Sequence, residues 1–166
     1  MKIRIVRGDI TQMKADAIVN AANGSLLGGG GVDGAIHRAA GPELLTACKK
    51  LNGCQTGQAK ITAGFNLPAK YIIHTVGPIY SGKKQDADSL AACYRNSLQL
   101  AAQYQLHSII FSAISTGVYG YPKRAAAQIA FKTVHTWQKE HQNYALQVIL
   151  CAFDEPTFRV YQELNQ

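Results

Sequence analysis

The chain has little of what declares a metal or disulfide protein. Its four cysteines, Cys48, Cys54, Cys93 and Cys151, form no CxxC pair and have no histidine-rich partner spacing, which argues against the common zinc frameworks. Buried free thiols are expected instead, since Cys151 lies in the apolar run from Val148 to Phe153. No segment approaches a membrane span, and Met1 to Arg7 alternates charged and apolar residues where a signal peptide would be continuously apolar. A cytoplasmic location is the expectation. Acidic residues are also few, with ten Asp and Glu against seventeen Lys and Arg, a net charge of +7. Such a surplus attracts anions. The basic residues are scattered, as at Lys49-Lys50, Lys83-Lys84 and Lys123-Arg124, with no aromatic stripe between them. A phosphate-bearing small molecule therefore fits better than RNA or DNA.

The length of 166 residues suits one domain over residues 1–166, large enough to bury a core without disulfides or metal. No linker, repeat or low-complexity tract interrupts it. Strand patterns run over Lys2 to Val6, Ala17 to Val19, Ala59 to Ala63, Tyr71 to Val76, Ser108 to Ala113 and Leu146 to Phe153. Helical patterns cover Val32 to Ala40, Glu43 to Leu51, Ala87 to Tyr104, Lys123 to Glu140 and Glu155 to Leu164. Pro42, Pro122 and Pro156 stand near helix starts, where a missing N–H costs least. Strands as apolar as Ile109-Ile110-Phe111 are covered on both faces. The expected fold is a three-layer α/β/α sandwich around a mixed, mostly parallel sheet.

The most informative stretch is Ile18 to His37. A strand runs into Asn20 and Asn23, then into the glycines Gly28 to Gly31, and a helix opens there, so free backbone N–H groups can meet an anion. Asp33 lies in that helix's first turn, and His37, four residues on, shares its face. A second loop, Ser115-Thr116-Gly117-Val118-Tyr119-Gly120, follows the strand that starts at Ser108 and again sets small residues past a strand's carboxyl end. Two such loops suit a pyrophosphate.

Two rival motifs fail. Gly29 to Gly34 satisfies the dinucleotide pattern G-x-G-x-x-G, yet about ten residues separate it from the strand and no acidic residue ends the next one. Gly77 to Lys84 imitates a phosphate loop, but Lys84 replaces the magnesium-binding hydroxyl and Pro78 removes a donor.

The runs Gly8 to Thr11, Ala17 to Asn23, Gly28 to His37, Ile73 to Pro78, Ser115 to Gly120 and Phe153 to Glu155 together resemble a macro domain, with the closest likeness to the MacroD-type branch. The resemblance spans essentially the whole chain. It implies an ADP-ribose pocket with hydrolase activity and no cofactor. It further implies that Asp9 accepts from the adenine amino group, that the backbone at Ile10 contacts the ring, and that Phe153 stacks on it. Gly30, Gly31 and Val32, with Ser115, Thr116, Gly117, Val118 and Tyr119, would hold the diphosphate and distal ribose. Asn20, Asn23, Asp33 and His37 would surround that ribose.

Each residue has a plainer alternative. Asp9 fits a turn cap before Thr11 as well as a ligand acceptor, and the ligand reading is preferred. Asn20, read as leaving the strand, is the more structural of the two asparagines, and Asn23 is nearer the glycines. His37 fits helix packing and the site equally. His74, inside an apolar strand, reads as a satisfied core histidine. Phe153 and Tyr119 fit a core too, although Tyr119 lies in a loop. The expected chemistry is metal-free hydrolysis at the distal ribose, catalysed by Asp33, Asn23 and His37. Asp33, taken as unpaired, acts on a water and Asn23 orients a hydroxyl, while the ligand's phosphate is a second candidate for activating the water. Deacetylation of O-acetyl-ADP-ribose and removal of mono-ADP-ribose from Asp or Glu of proteins stand as equal expectations. A non-catalytic ADP-ribose reader is the alternative.

Overall fold

The computed structural model describes residues 2–166. Six strands form one sheet in the order β1-β6-β5-β2-β4-β3, where β1 is Arg4–Arg7, β2 Ala17–Ala22, β3 Ala59–Ala63, β4 Tyr71–Val76, β5 Ser108–Phe111 and β6 Gln147–Ala152. Every pairing is parallel except that of β3 with β4. The helices are α1 (Gly31–Ala40), α2 (Pro42–Lys49), α3 (Lys84–Gln103), α4 (Lys123–Glu140) and α5 (Glu155–Leu164).

Strand alternation sorts the core into two layers. Ala17, Val19, Ile73, Ile109, Phe111 and Val148 pack under Leu90, Tyr94 and Leu98 of α3 and Val134 and Trp137 of α4. Ile18, Ala22, Ile72, Val76 and Ile110 pack under Ile36 of α1 and Leu44 and Cys48 of α2. The sheet is thus covered on both faces, the arrangement expected of strands apolar on both sides. Among the described residues, no helix is long and apolar enough to cross a membrane.

Seven expected elements shift at their edges, α1 by a single residue to Gly31, and one shift matters for the site. β2 extends to Ala22, because Asn20, Ala21 and Ala22 continue the parallel ladder opposite His74, Thr75 and Val76. Asn20 is therefore inside the strand and does not leave it. β1 begins at Arg4, two residues after Lys2, and β5 stops at Phe111, two before Ala113; β6 and α2 also end short of Phe153 and Leu51. α3 starts early at Lys84, since Asp86 accepts from the backbone N–H groups of Ser81 and Gly82 and so closes the turn before it. Those bonds hold the Asp86 carboxyl below its usual range, the Ser81 N–H first among them. They also occupy the N–H groups of the false phosphate loop with the chain's own carboxylate.

Candidate functional site

Parallel strands send their carboxyl ends to one edge of the sheet, and ligands in open α/β sheets bind there. At the β1 and β6 end of that edge, Gly8 donates to the carbonyl of Ala152 at 3.0 Å, which sets Asp9 beside Phe153. Phe153 is 80% exposed, so it is no core aromatic and its face is free for a ring to stack on. Asp9 caps a 3-10 turn, Ile10–Gln12, and its Oδ1 accepts from the Thr11 N–H at 2.9 Å and hydroxyl at 2.6 Å. The capping reading of Asp9 is thus met by one oxygen, while among the described residues Oδ2 has no hydrogen-bond partner. The Ile10 side chain is buried, leaving only its backbone for a ligand.

Three strand spacings away, roughly 14 Å at about 4.8 Å each, the edge carries the second cluster at the end of β2. Asn23 Nδ2 donates to the Gly28 carbonyl at 2.9 Å, and its Oδ1 accepts from the Ser25 hydroxyl at 2.7 Å. This ties the glycine loop to the strand. A Cβ added at Gly29 would lie 3.2 Å from Asn23 Nδ2 and 3.3 Å from Asp33 Oδ2, so the amide and the carboxylate converge on one point. Gly29 was not among the expected contacts, although it lies within the glycine run that signalled the site. At Gly30 and Gly31 an added Cβ would meet nothing within 4 Å. Both glycines border open space at the start of α1, whose first N–H groups have no intrahelical partner.

Asp33 is buried and, contrary to expectation, not unpaired: Asn20 donates to its Oδ1 from Nδ2 at 2.8 Å. Asn20 is fully buried, so its contact runs to Asp33 and not to an exposed cleft. His37 Nε2 lies 3.5 Å from the same carboxylate oxygen and, among the described residues, makes no hydrogen bond. Its ring packs against Gly28, whose added Cβ would lie 3.8 Å away. His37 therefore serves the helix packing and faces Asp33 at once.

In the second loop, Ser115 adopts φ 66° and its hydroxyl donates to the carbonyl of Pro78 at 2.8 Å. That hydroxyl is spent on the scaffold. The Tyr119 carbonyl accepts from the Tyr80 N–H at 2.8 Å, which fixes the loop against the β4 end. Thr116 is half-buried, Val118 is fully exposed, and Gly117 borders open space. A cavity of about 420 Å³ lies between this loop and the β4 end, lined by Gly24, Gly77, Ile79 and Tyr119.

His74 is a satisfied core histidine, as expected. Burial, with the His37 charge second, pulls its pKa from 6.5 down to about 3. The folded state thus binds fewer protons than the unfolded chain, so this contribution is complete above pH 6.5 and is lost as pH falls toward 3. Unfolding free energy should fall by roughly 1–2 kcal/mol between pH 6.5 and 5 from this one group. Urea titrations across that window should show the slope in the wild type and its loss in His74→Asn; a flat wild-type profile contradicts a buried neutral His74.

Cys48, Cys93 and Cys151 are buried and burial pushes each thiol up to about 11. None is a thiolate poised to attack. Cys54 departs from expectation: it is only half-buried.

The family model of the macro domain matches residues 19–130 of this chain. A macro domain-containing protein of Ralstonia nicotianae is 60% identical over 96% of the chain and 92% of that protein. The ADP-ribose glycohydrolase MACROD2 of Homo sapiens is 52% identical over 98% of the chain, which spans 39% of that longer protein. Among solved structures, the Trypanosoma brucei macrodomain in complex with ADP-ribose superposes with a TM-score of 0.94 at 46% identity, covering 99% of this chain and 69% of that one. The Oceanobacillus iheyensis macrodomain with MES bound gives 0.91 at 51% identity, covering 96% and 87%. With this sheet order, these two glycine loops and this degree of likeness, the chain belongs to the macro domain family.

Proposed function

We propose that this chain hydrolyses ester-linked derivatives of ADP-ribose at the distal ribose, releasing acetate from O-acetyl-ADP-ribose and mono-ADP-ribose from Asp or Glu of modified proteins. The observation that carries the reading is the convergence of Asp33 Oδ2 and Asn23 Nδ2 beside Gly29, at the far end of an edge that begins with Asp9 and an exposed Phe153. An adenine fits the Phe153 face with its amino group toward Asp9, and the backbone at Ile10 meets the ring edge. The diphosphate fits the open space over Gly30, Gly31 and Gly117, facing the α1 N-terminus. The relatives named ADP-ribose glycohydrolases and the neighbour with ADP-ribose bound support the same ligand.

In the proposed reaction, Asp33 takes a proton from a water, the water oxygen adds to the ester carbon, and the ribose oxygen leaves with a proton. Asn23 donates from its remaining amide hydrogen to a ribose hydroxyl, and the loop N–H groups meet phosphate charge. His37, packed against Gly28, keeps the carboxylate's outer side closed. No metal enters this scheme; among the described residues no three His, Cys, Asp or Glu side chains cluster as a metal site requires.

Calorimetry tests the two-ended cleft. ADP-ribose should bind at least 10-fold more tightly than AMP, about 1.4 kcal/mol, because AMP reaches only the adenine end and one phosphate. Equal affinities would refute the shared use of both loops. Product release from O-acetyl-ADP-ribose and from a glutamate-modified protein, followed in parallel, distinguishes the two ester substrates.

A further inference from the structure

Thr62, His74 and Asn20 stand on the neighbouring strands β3, β4 and β2 and face the α1 side of the sheet, where they join into a line ending at Asp33. Thr62 Oγ1 lies 2.9 Å from His74 Nε2, His74 Nδ1 lies 3.2 Å from Asn20 Nδ2, and that nitrogen lies 2.8 Å from Asp33 Oδ1. All four side chains are buried. Chemistry sets the direction of the line. A carboxylate oxygen accepts, so the Asn20 atom facing it is the amide nitrogen. That nitrogen only donates, so His74 Nδ1 must be an unprotonated acceptor, and the neutral ring carries its proton on Nε2 toward Thr62. Among the described residues, Asn20 Oδ1 has no hydrogen-bond partner. Among those residues His74 is therefore the only group besides Asp33 that holds the amide against a flip, which would turn its oxygen toward the carboxylate.

We propose that His74 is a positioning residue for the hydrolysis: as a neutral Nε2–H imidazole it fixes the Asn20 amide, which in turn holds the Asp33 carboxylate aimed at the point beside Gly29. This rests on the role proposed above for Asp33. His74 touches no substrate, and its effect is exerted through two hydrogen bonds.

Two measurements test it. Nitrogen NMR of the imidazole at pH 7 should place His74 Nδ1 in the unprotonated range and Nε2 in the protonated one; the opposite tautomer or a cationic ring overturns the proposal whether or not the protein turns over any ester. The second uses geometry. His74→Asn keeps an oxygen where Nδ1 stands, whereas His74→Gln reaches only the Nε2 end. His74→Gln should lose roughly 10-fold or more in kcat with KM and ADP-ribose affinity unchanged, and His74→Asn should recover most of it. Equal kcat in the two variants, or an affinity loss matching the kcat loss, contradicts a positioning role. Should both variants fail to fold, the wild-type tautomer decides alone.

Discussion

Asp33→Ala should lower ester turnover by roughly 10²-fold or more, about 2.7 kcal/mol of transition-state stabilisation, while ADP-ribose affinity changes far less. The separation follows from where the contacts lie. Asp33 faces one point beside Gly29, whereas the proposed binding contacts are backbone N–H groups at the α1 start, the second loop, and Asp9 with Phe153 at the other end. The variant also deprives the Asn20 amide of its acceptor in a buried setting, so a stability loss of roughly 1–3 kcal/mol accompanies it. Stopped assays of product release, set beside calorimetry with ADP-ribose, check the split. Parallel loss of turnover and binding would make Asp33 a support of the glycine loop with no part in the chemistry.

Gly34→Ala should do what Asp33→Ala does not, and remove binding and turnover together. A Cβ at Gly34 would lie 2.4 Å from the Gly29 carbonyl oxygen, a backbone atom that cannot swing aside, and 3.1 Å from the Arg38 guanidinium. Helix propensity favours alanine by at most about 1 kcal/mol, but overpacking against a fixed backbone costs roughly 1–3 kcal/mol, so the clash wins. The loop must move away from α1, carrying Gly30 and Gly31 out of register with the second loop. A melting temperature lower by roughly 2–8 °C with ADP-ribose affinity reduced at least 10-fold is expected. Unchanged affinity would mean that the glycine loop is not where the diphosphate sits.

The contrast between these neighbours shows what the sequence makes legible. β3, β4, α4 and α5 match their expected bounds, because their apolar periodicity ends at physical stops: Pro122 and the Asp154 cap open α4 and α5, and β4 ends at Gly77-Pro78. The glycine run and the first-turn aspartate were visible for the same local reasons. The partner of Asp33 was not. Asn20 and Asp33 are 13 residues apart on different elements, and no periodicity links a polar residue in a strand to one on the helix above it. Asn20 ends the apolar pattern of Ala17 to Val19, so the strand reads as finished, yet its backbone continues the ladder and its side chain finds Asp33. Asp9 was half legible: a short acidic side chain two residues before Thr11 signals a cap, and the cap is present, but only the fold sets it beside Phe153. The early start of α3 was hidden because Lys84 to Asp86 carries no apolar residue and is held by Asp86 and the Ser81 turn.

The central claim is that the pocket turns its ligand over. The most direct measurement is release of free ADP-ribose from O-acetyl-ADP-ribose by the purified wild-type chain in excess EDTA, with substrate well above enzyme. Many turnovers per molecule, undiminished by chelator, are predicted. Tight calorimetric binding of ADP-ribose with no release beyond the uncatalysed rate would contradict hydrolysis and leave a protein that only reads the ligand.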